Sequence, residues 1–72
     1  MPYYELIVKS DEEVDGPALE AATGLRCTPL DRLARLDGEL VDNAALHGVI
    51  VRVFRLGLDL RAVEQRSGHH GT

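Results

Sequence analysis

Apolar and polar residues alternate with a period of two at the start of the chain. Tyr4, Leu6 and Val8 interleave with Tyr3, Glu5, Ile7 and Lys9. β-Formers dominate this run, so residues 3–9 read as a strand. Its second set is half apolar, which suits a central strand covered on both faces. Residues 10–16 form an acidic loop with Asp11, Glu12, Glu13 and Asp15. A short helix opens at Pro17, because proline at the first helical position is preorganised for it; Asp15 or Gly16 is the N-cap. Ala18, Leu19, Ala21 and Ala22 make its apolar face, and Gly24 ends it.

The middle of the chain allows two readings. Leu25–Thr28 suits a short strand, with Pro29-Leu30-Asp31-Arg32 as a turn. Alternatively Leu30, Leu33 and Leu36, three apart, suit a helix over residues 29–36. The preferred reading is a strand over Leu33–Leu40, where Ala34, Leu36, Gly38 and Leu40 alternate with Arg35, Asp37 and Glu39. That pattern makes one dry face and one wet face. Gly38 on the dry side implies a bulge or the close approach of a helix. From Asn43 to about Leu56 the period changes to that of a helix: Leu46, Val49, Ile50 and Val53 share one face. Asp42 caps it, Gly57 stops it, and Arg52 and Arg55 suit its C-terminal dipole. Leu58–Glu64 alternates again as a last strand, with Leu58, Leu60 and Ala62 on one side. From Gln65 the chain turns polar and glycine-rich, which predicts a disordered tail.

The order β-α-β-β-α-β predicts an α+β fold, a ferredoxin-like two-layer sandwich. Two helices cover one face of a four-stranded antiparallel sheet, and the other face is left to solvent or another subunit. Residues 1–64 form the single domain and 65–72 the tail.

Composition narrows the function. The 72 residues carry a formal net charge of −4, and the arginines are scattered rather than clustered. Phosphate polymers and anionic lipids are repelled by such a chain, so neither nucleic acid nor membrane is an expected partner. No run approaches the roughly 18–20 apolar residues of a membrane span, and the N-terminal residues lack the order of a secretory signal. With one cysteine, Cys27, there is no internal disulfide, which points to a reducing cytoplasm. A domain of this length buries only about 60% of the surface its unfolded chain exposes. Self-association is a common way to bury more, and a homo-oligomer is expected.

Candidate chemistry is sparse. The loop after the first strand is acidic, which excludes an acylphosphatase-like anion cradle. The third strand lacks the aromatics on which RNA-recognition versions of this fold stack bases, and no C-x-x-C pair is present for a heavy metal. The acidic loop lacks the spacing of a calcium loop and reads as solvated. Cys27 reads as a small buried hydrophobe, since nothing in the sequence marks an activating environment. His69 and His70 sit in the passive tail. Catalytic, cofactor and metal residues are therefore expected to be none. The residues singled out are His47, Val51 and Phe54, a second stripe on the long helix at i, i+4, i+7, and Tyr3. The stripe suits packing at the sheet edge or a subunit contact, with Phe54 as an aromatic anchor. Tyr3 and Tyr4 point to opposite sheet faces, and one belongs to the core.

The segment Gly38-Glu39-Leu40-Val41-Asp42-Asn43-Ala44-Ala45-Leu46-His47-Gly48-Val49-Ile50, followed by Arg52 and Leu56-Gly57-Leu58 with Leu60, resembles a C-terminal module of short uncharacterised bacterial proteins. Their pattern is approximately G-x-L-x-D-Q-A-A-L-H-G-L-L, with Asn43 here in place of Gln. The resemblance covers about a third of the chain. It implies a bacterial origin and the Asp42-capped helix, and it names no catalytic residue.

Three readings of function follow. The leading one is a non-catalytic module that self-associates and binds or regulates a protein partner. The second is a small-molecule sensor resembling ACT domains, which bind amino acids at subunit interfaces; Gly16 is the candidate glycine after the first strand, and its acidic surroundings fit such a site only for a cationic ligand. The third is an enzyme similar to dimeric ferredoxin-like barrels, which requires His47 and a tyrosine in one pocket.

Overall fold

Strand β1 (Tyr3–Lys9) is the axis of the molecule. In the computed structural model, which describes residues 2–66, it pairs antiparallel with both β3 (Leu33–Glu39) and β4 (Asp59–Arg66). Strand β2 (Arg26–Leu30) completes the sheet in the order β2-β3-β1-β4, with every pair antiparallel. Helices α1 (Gly16–Thr23) and α2 (Asn43–Arg55) supply the second layer. The fold is α+β, and no helix among the described residues is long and apolar enough to cross a membrane.

The period-two patterns sort residues as expected. Tyr4, Leu6 and Val8 of β1 and Ala34 and Leu36 of β3 are buried with Leu19 of α1 and Val49 and Val53 of α2. Leu46 and Ile50 pack partly buried against them. Both helices therefore lie on the Tyr4–Leu6–Val8 side. β1 is central, as predicted, but is covered on this face alone. Tyr4 is the core tyrosine, 5% exposed, and its hydroxyl donates to Asn43 Oδ1 at 3.3 Å, tying β1 to the start of α2. Both helix caps are those expected: Asp15 Oδ1 accepts from Ala18 N–H at 3.2 Å and Asp42 Oδ1 from Ala45 N–H at 2.9 Å.

Five expectations need correction. Pro29 and Leu30 belong to β2, so neither a four-residue turn nor a helix over 29–36 forms. The turn shrinks to Asp31-Arg32, with Asp31 in the left-handed region at φ 62°. Sheet pairing of Leu30 with Leu33 overrides the three-residue leucine spacing. In α1 the inward face is Gly16, Leu19 and Thr23, while Ala18 and Ala21 are exposed. Thr23 is buried because its hydroxyl donates to Leu19 C=O at 2.7 Å and accepts from Leu25 N–H at 3.2 Å. The neighbour crowding Gly38 is Leu25, not a helix: a Cβ there would lie 2.8 Å from Leu25 Cδ2. In β4 a register shift between Ile7 and Val8 puts Leu60 opposite Val8 but Ala62 opposite Ile7. Leu60 and Val63 thus share the helix side, and Ala62 moves to the other face. Finally, β4 runs on through Gln65 and Arg66, held opposite Tyr4 and Tyr3, where the tail was expected to begin. The rest of that expected tail, including His69 and His70, lies outside the described residues.

Candidate functional site

The sheet face opposite the helices carries the densest cluster of polar side chains. Register fixes its members. Glu39, Tyr3 and Arg66 form one row across β3, β1 and β4. Arg26, Asp37, Glu5 and Glu64 form the next, and Thr28, Arg35, Ile7 and Ala62 the third. The last row is Leu30, Leu33, Lys9 and Asp59.

Two carboxylates organise the upper rows. Tyr3 Oη donates to Asp37 Oδ2, and Arg26 Nε lies 3.7 Å from Asp37 Oδ1. Glu5 accepts from the Arg66 guanidinium, and Arg35 Nε lies 3.5 Å from its other oxygen. Arg66 also reaches Glu64 at 3.3 Å. The side chains of Asp37 and Glu5 are 13% and 16% exposed, because the longer arginines and Tyr3 lie over them. Asp37 Oδ1 is buried and accepts no hydrogen bond among the described residues. The bond to Asp37, then desolvation, then the Asp37 charge hold the Tyr3 phenol above its ordinary pKa of 10.0. Glu5, through its hydrogen bond and then its charge, keeps the Arg66 guanidinium more firmly protonated. Tyr3, Glu5, Arg35, Asp37 and Arg66 line a shallow depression of about 280 Å³. An apolar corner adjoins it, formed by Ile7, Thr28, Leu30 and Leu33, with Leu30 73% exposed.

This arrangement holds charges in pairs. Asp37 is met by Tyr3 and Arg26, and Glu5 by Arg35 and Arg66. Among the described residues no group of three or more His, Cys, Asp or Glu is placed to hold a metal ion. Cys27 is buried, and desolvation followed by the Glu20 charge pushes its thiol pKa up, away from a reactive thiolate. The acidic loop is tied to the β2–β3 turn by backbone bonds from Ser10 N–H to Arg32 C=O and from Val14 N–H to Asp31 C=O. A groove of about 170 Å³ lies between that loop, the start of α1 and the end of α2, lined by Val14, Leu19, Leu56 and Leu58 with Glu13 and Asp15 at its rim.

The four residues singled out from sequence do not form one site. His47 and Phe54 are exposed and Val51 is half-buried on α2. Tyr3 lies on the far side of the sheet. The stripe and the tyrosine belong to two separate surfaces. Glu5, Arg35, Asp37 and Arg66 were missed. Alternation places the first three on wet strand faces, but only pairing of β1 with both β3 and β4 brings them together.

No curated protein and no solved structure matches the chain. A family model described as a domain of unknown function (DUF8691) matches residues 3–64, nearly the whole described fold, and the chain belongs to that family.

Proposed function

We propose that this chain is a non-catalytic bacterial, cytoplasmic module that self-associates and acts by docking to protein, itself or a regulated partner. One observation carries the reading: the helices cover one side of the sheet, and large apolar side chains remain in water. Leu30, Val41, Phe54, Leu56, Leu33 and Val63 are each at least 40% exposed, beside a core of ten apolar residues. A surface so divided favours burial against another molecule. Tyr3 on the open sheet face and His47, Val51 and Phe54 on α2 are the interface candidates. The order β2-β3-β1-β4, in which β3 lies between β1 and β2, supports the ferredoxin-like reading of the fold. Sedimentation equilibrium tests the function: mass rising above the monomer through the micromolar range is expected, and a constant monomer mass overturns it.

One observation favours the ACT-like sensor as a second reading. The apolar groove lined by Val14, Leu19, Leu56 and Leu58 sits at the loop after β1, and Glu13 and Asp15 beside it suit a cationic ligand. A thermal-shift series over cationic and neutral amino acids tests it, and no rise in midpoint retires it. The barrel-enzyme reading gains no support: His47 and Tyr3 lie on opposite sides of the sheet, and Tyr4 is buried with its hydroxyl donating to Asn43 Oδ1.

A further inference from the structure

We infer that a second copy of this chain covers the open sheet face, docked face to face about a two-fold axis that crosses the strands. This rests on the self-association proposed above and adds to it a surface, a partner and a geometry.

The sheet edges are closed to strand addition. Along β2 the N–H groups of residues 27 and 29 point the same way. Cys27 N–H donates to Glu20 Oε2 at 3.0 Å, and Pro29 has no N–H to offer. Along β4 the register shift at Arg61 bends the strand, and Asp59, Arg61, Glu64 and Arg66 charge it. Both are devices against edge pairing. What remains of the sheet for docking is its face.

Charge selects the occupant. The open face carries Lys9, Arg26, Arg35 and Arg66 against Glu5, Asp37, Glu39, Asp59 and Glu64. It is nearly balanced in a chain of net charge −4. Two copies repel elsewhere and least here. An isologous contact requires the face to complement itself. An axis across the strands lays each strand over its own copy and the first row over the last. Arg66 then faces Asp59, Tyr3 faces Lys9, Asp37 faces Arg35, Glu5 faces Ile7 and Glu64 faces Ala62. No like charges meet. An axis along the strands instead sets Glu5 over Asp37 and Leu30 over Asp59. Aligned sheet packing, within roughly 30°, allows the first arrangement.

Area sets the strength. Four strands at about 4.8 Å spacing and seven residues at about 3.3 Å rise present roughly 450 Å². Two such faces total roughly 900 Å², below the about 1,200 Å² at which standard interfaces begin and so in the weak, transient class. Micromolar dissociation is expected.

The test compares the full chain with Ala62→Glu and Ala21→Glu by sedimentation equilibrium, with circular dichroism to establish folding. Ala62 is exposed and faces Glu64 of the second copy, so Ala62→Glu is expected to weaken association at least about tenfold, while a control at exposed Ala21 on α1, Ala21→Glu, leaves it unchanged. In a second arm Arg35→Glu and Asp37→Arg, each weakened alone, regain association when mixed, because each copy then faces its opposite charge. Wild-type association that Ala62→Glu leaves intact, or that Ala21→Glu abolishes, overturns this surface while self-association stands. Folded Arg35→Glu and Asp37→Arg variants that do not associate on mixing overturn the two-fold arrangement. If either variant does not fold, Ala62→Glu decides. A wild-type chain that stays monomeric overturns both proposals.

Discussion

At the scale of single residues, Gly38 and Tyr3 show how little space and how much charge matter in so thin a molecule. Gly38 lacks a Cβ because buried Leu25 occupies its place, at 2.8 Å from where that atom would be. Gly38→Ala therefore forces Leu25 out of its position, and a loss of about 1–3 kcal/mol in urea denaturation is expected. Tyr3 binds its proton more tightly folded than unfolded, because Asp37 accepts its hydrogen bond. The stability this contributes is intact below the ordinary pKa of 10.0 and is lost as pH rises through the higher folded value. Tyr3→Phe should flatten that alkaline decline in denaturation midpoints measured from neutral pH upward. Asp and Gly at the helix ends were legible because each acts on its own backbone. The Tyr3–Asp37 contact was not, since 34 residues separate its ends.

At the scale of elements, the two helices are set by their caps and the sheet by its pairing. Asp42 satisfies Ala45 N–H and opens the helix that carries Val49 and Val53 into the core. Asp42→Ala is expected to cost about 1 kcal/mol, read as a lower thermal midpoint. The β2 edge depends on Glu20 and Pro29 together. The double variant Glu20→Ala, Pro29→Thr frees two outward N–H groups and should raise aggregation, followed by light scattering. A smaller effect from each single change is expected, since either device still blocks one position. Helix α2 was readable because its period, cap and stop agree. The β4 alternation misled because the shift at Arg61 comes from pairing with β1, which leaves no mark in β4 itself.

At the scale of the whole molecule, stability is small and association is its natural supplement. A single core of this size supplies a few kcal/mol, roughly 3–5 at most. Leu6 and Leu36 are fully buried, and Leu36→Ala costs about 2–5 kcal/mol, enough to unfold much of the population at room temperature. Circular dichroism of that variant should show loss of structure without denaturant. A self-associating chain also gains stability by mass action. Its thermal midpoint should rise with protein concentration in the wild type and far less in Ala62→Glu. An identical dependence in both would mean that some other surface carries the contact.

Local physics was written into this chain residue by residue. Alternation of apolar and polar side chains, helix caps, and glycine stops act over a few positions, so element order, the α+β class, and the core residues of β3 and α2 followed from the sequence alone. Tertiary structure decided everything that depends on which strands lie side by side. It chose Tyr4 over Tyr3 for the core, shifted Ala62 to the open face, extended β4 to Arg66, and gathered Glu5, Arg35, Asp37 and Arg66 beside Tyr3. The reason is that cross-strand register joins residues as far apart as Tyr3 and Arg66, 63 positions along the chain, and no periodicity within either strand encodes its partner's phase.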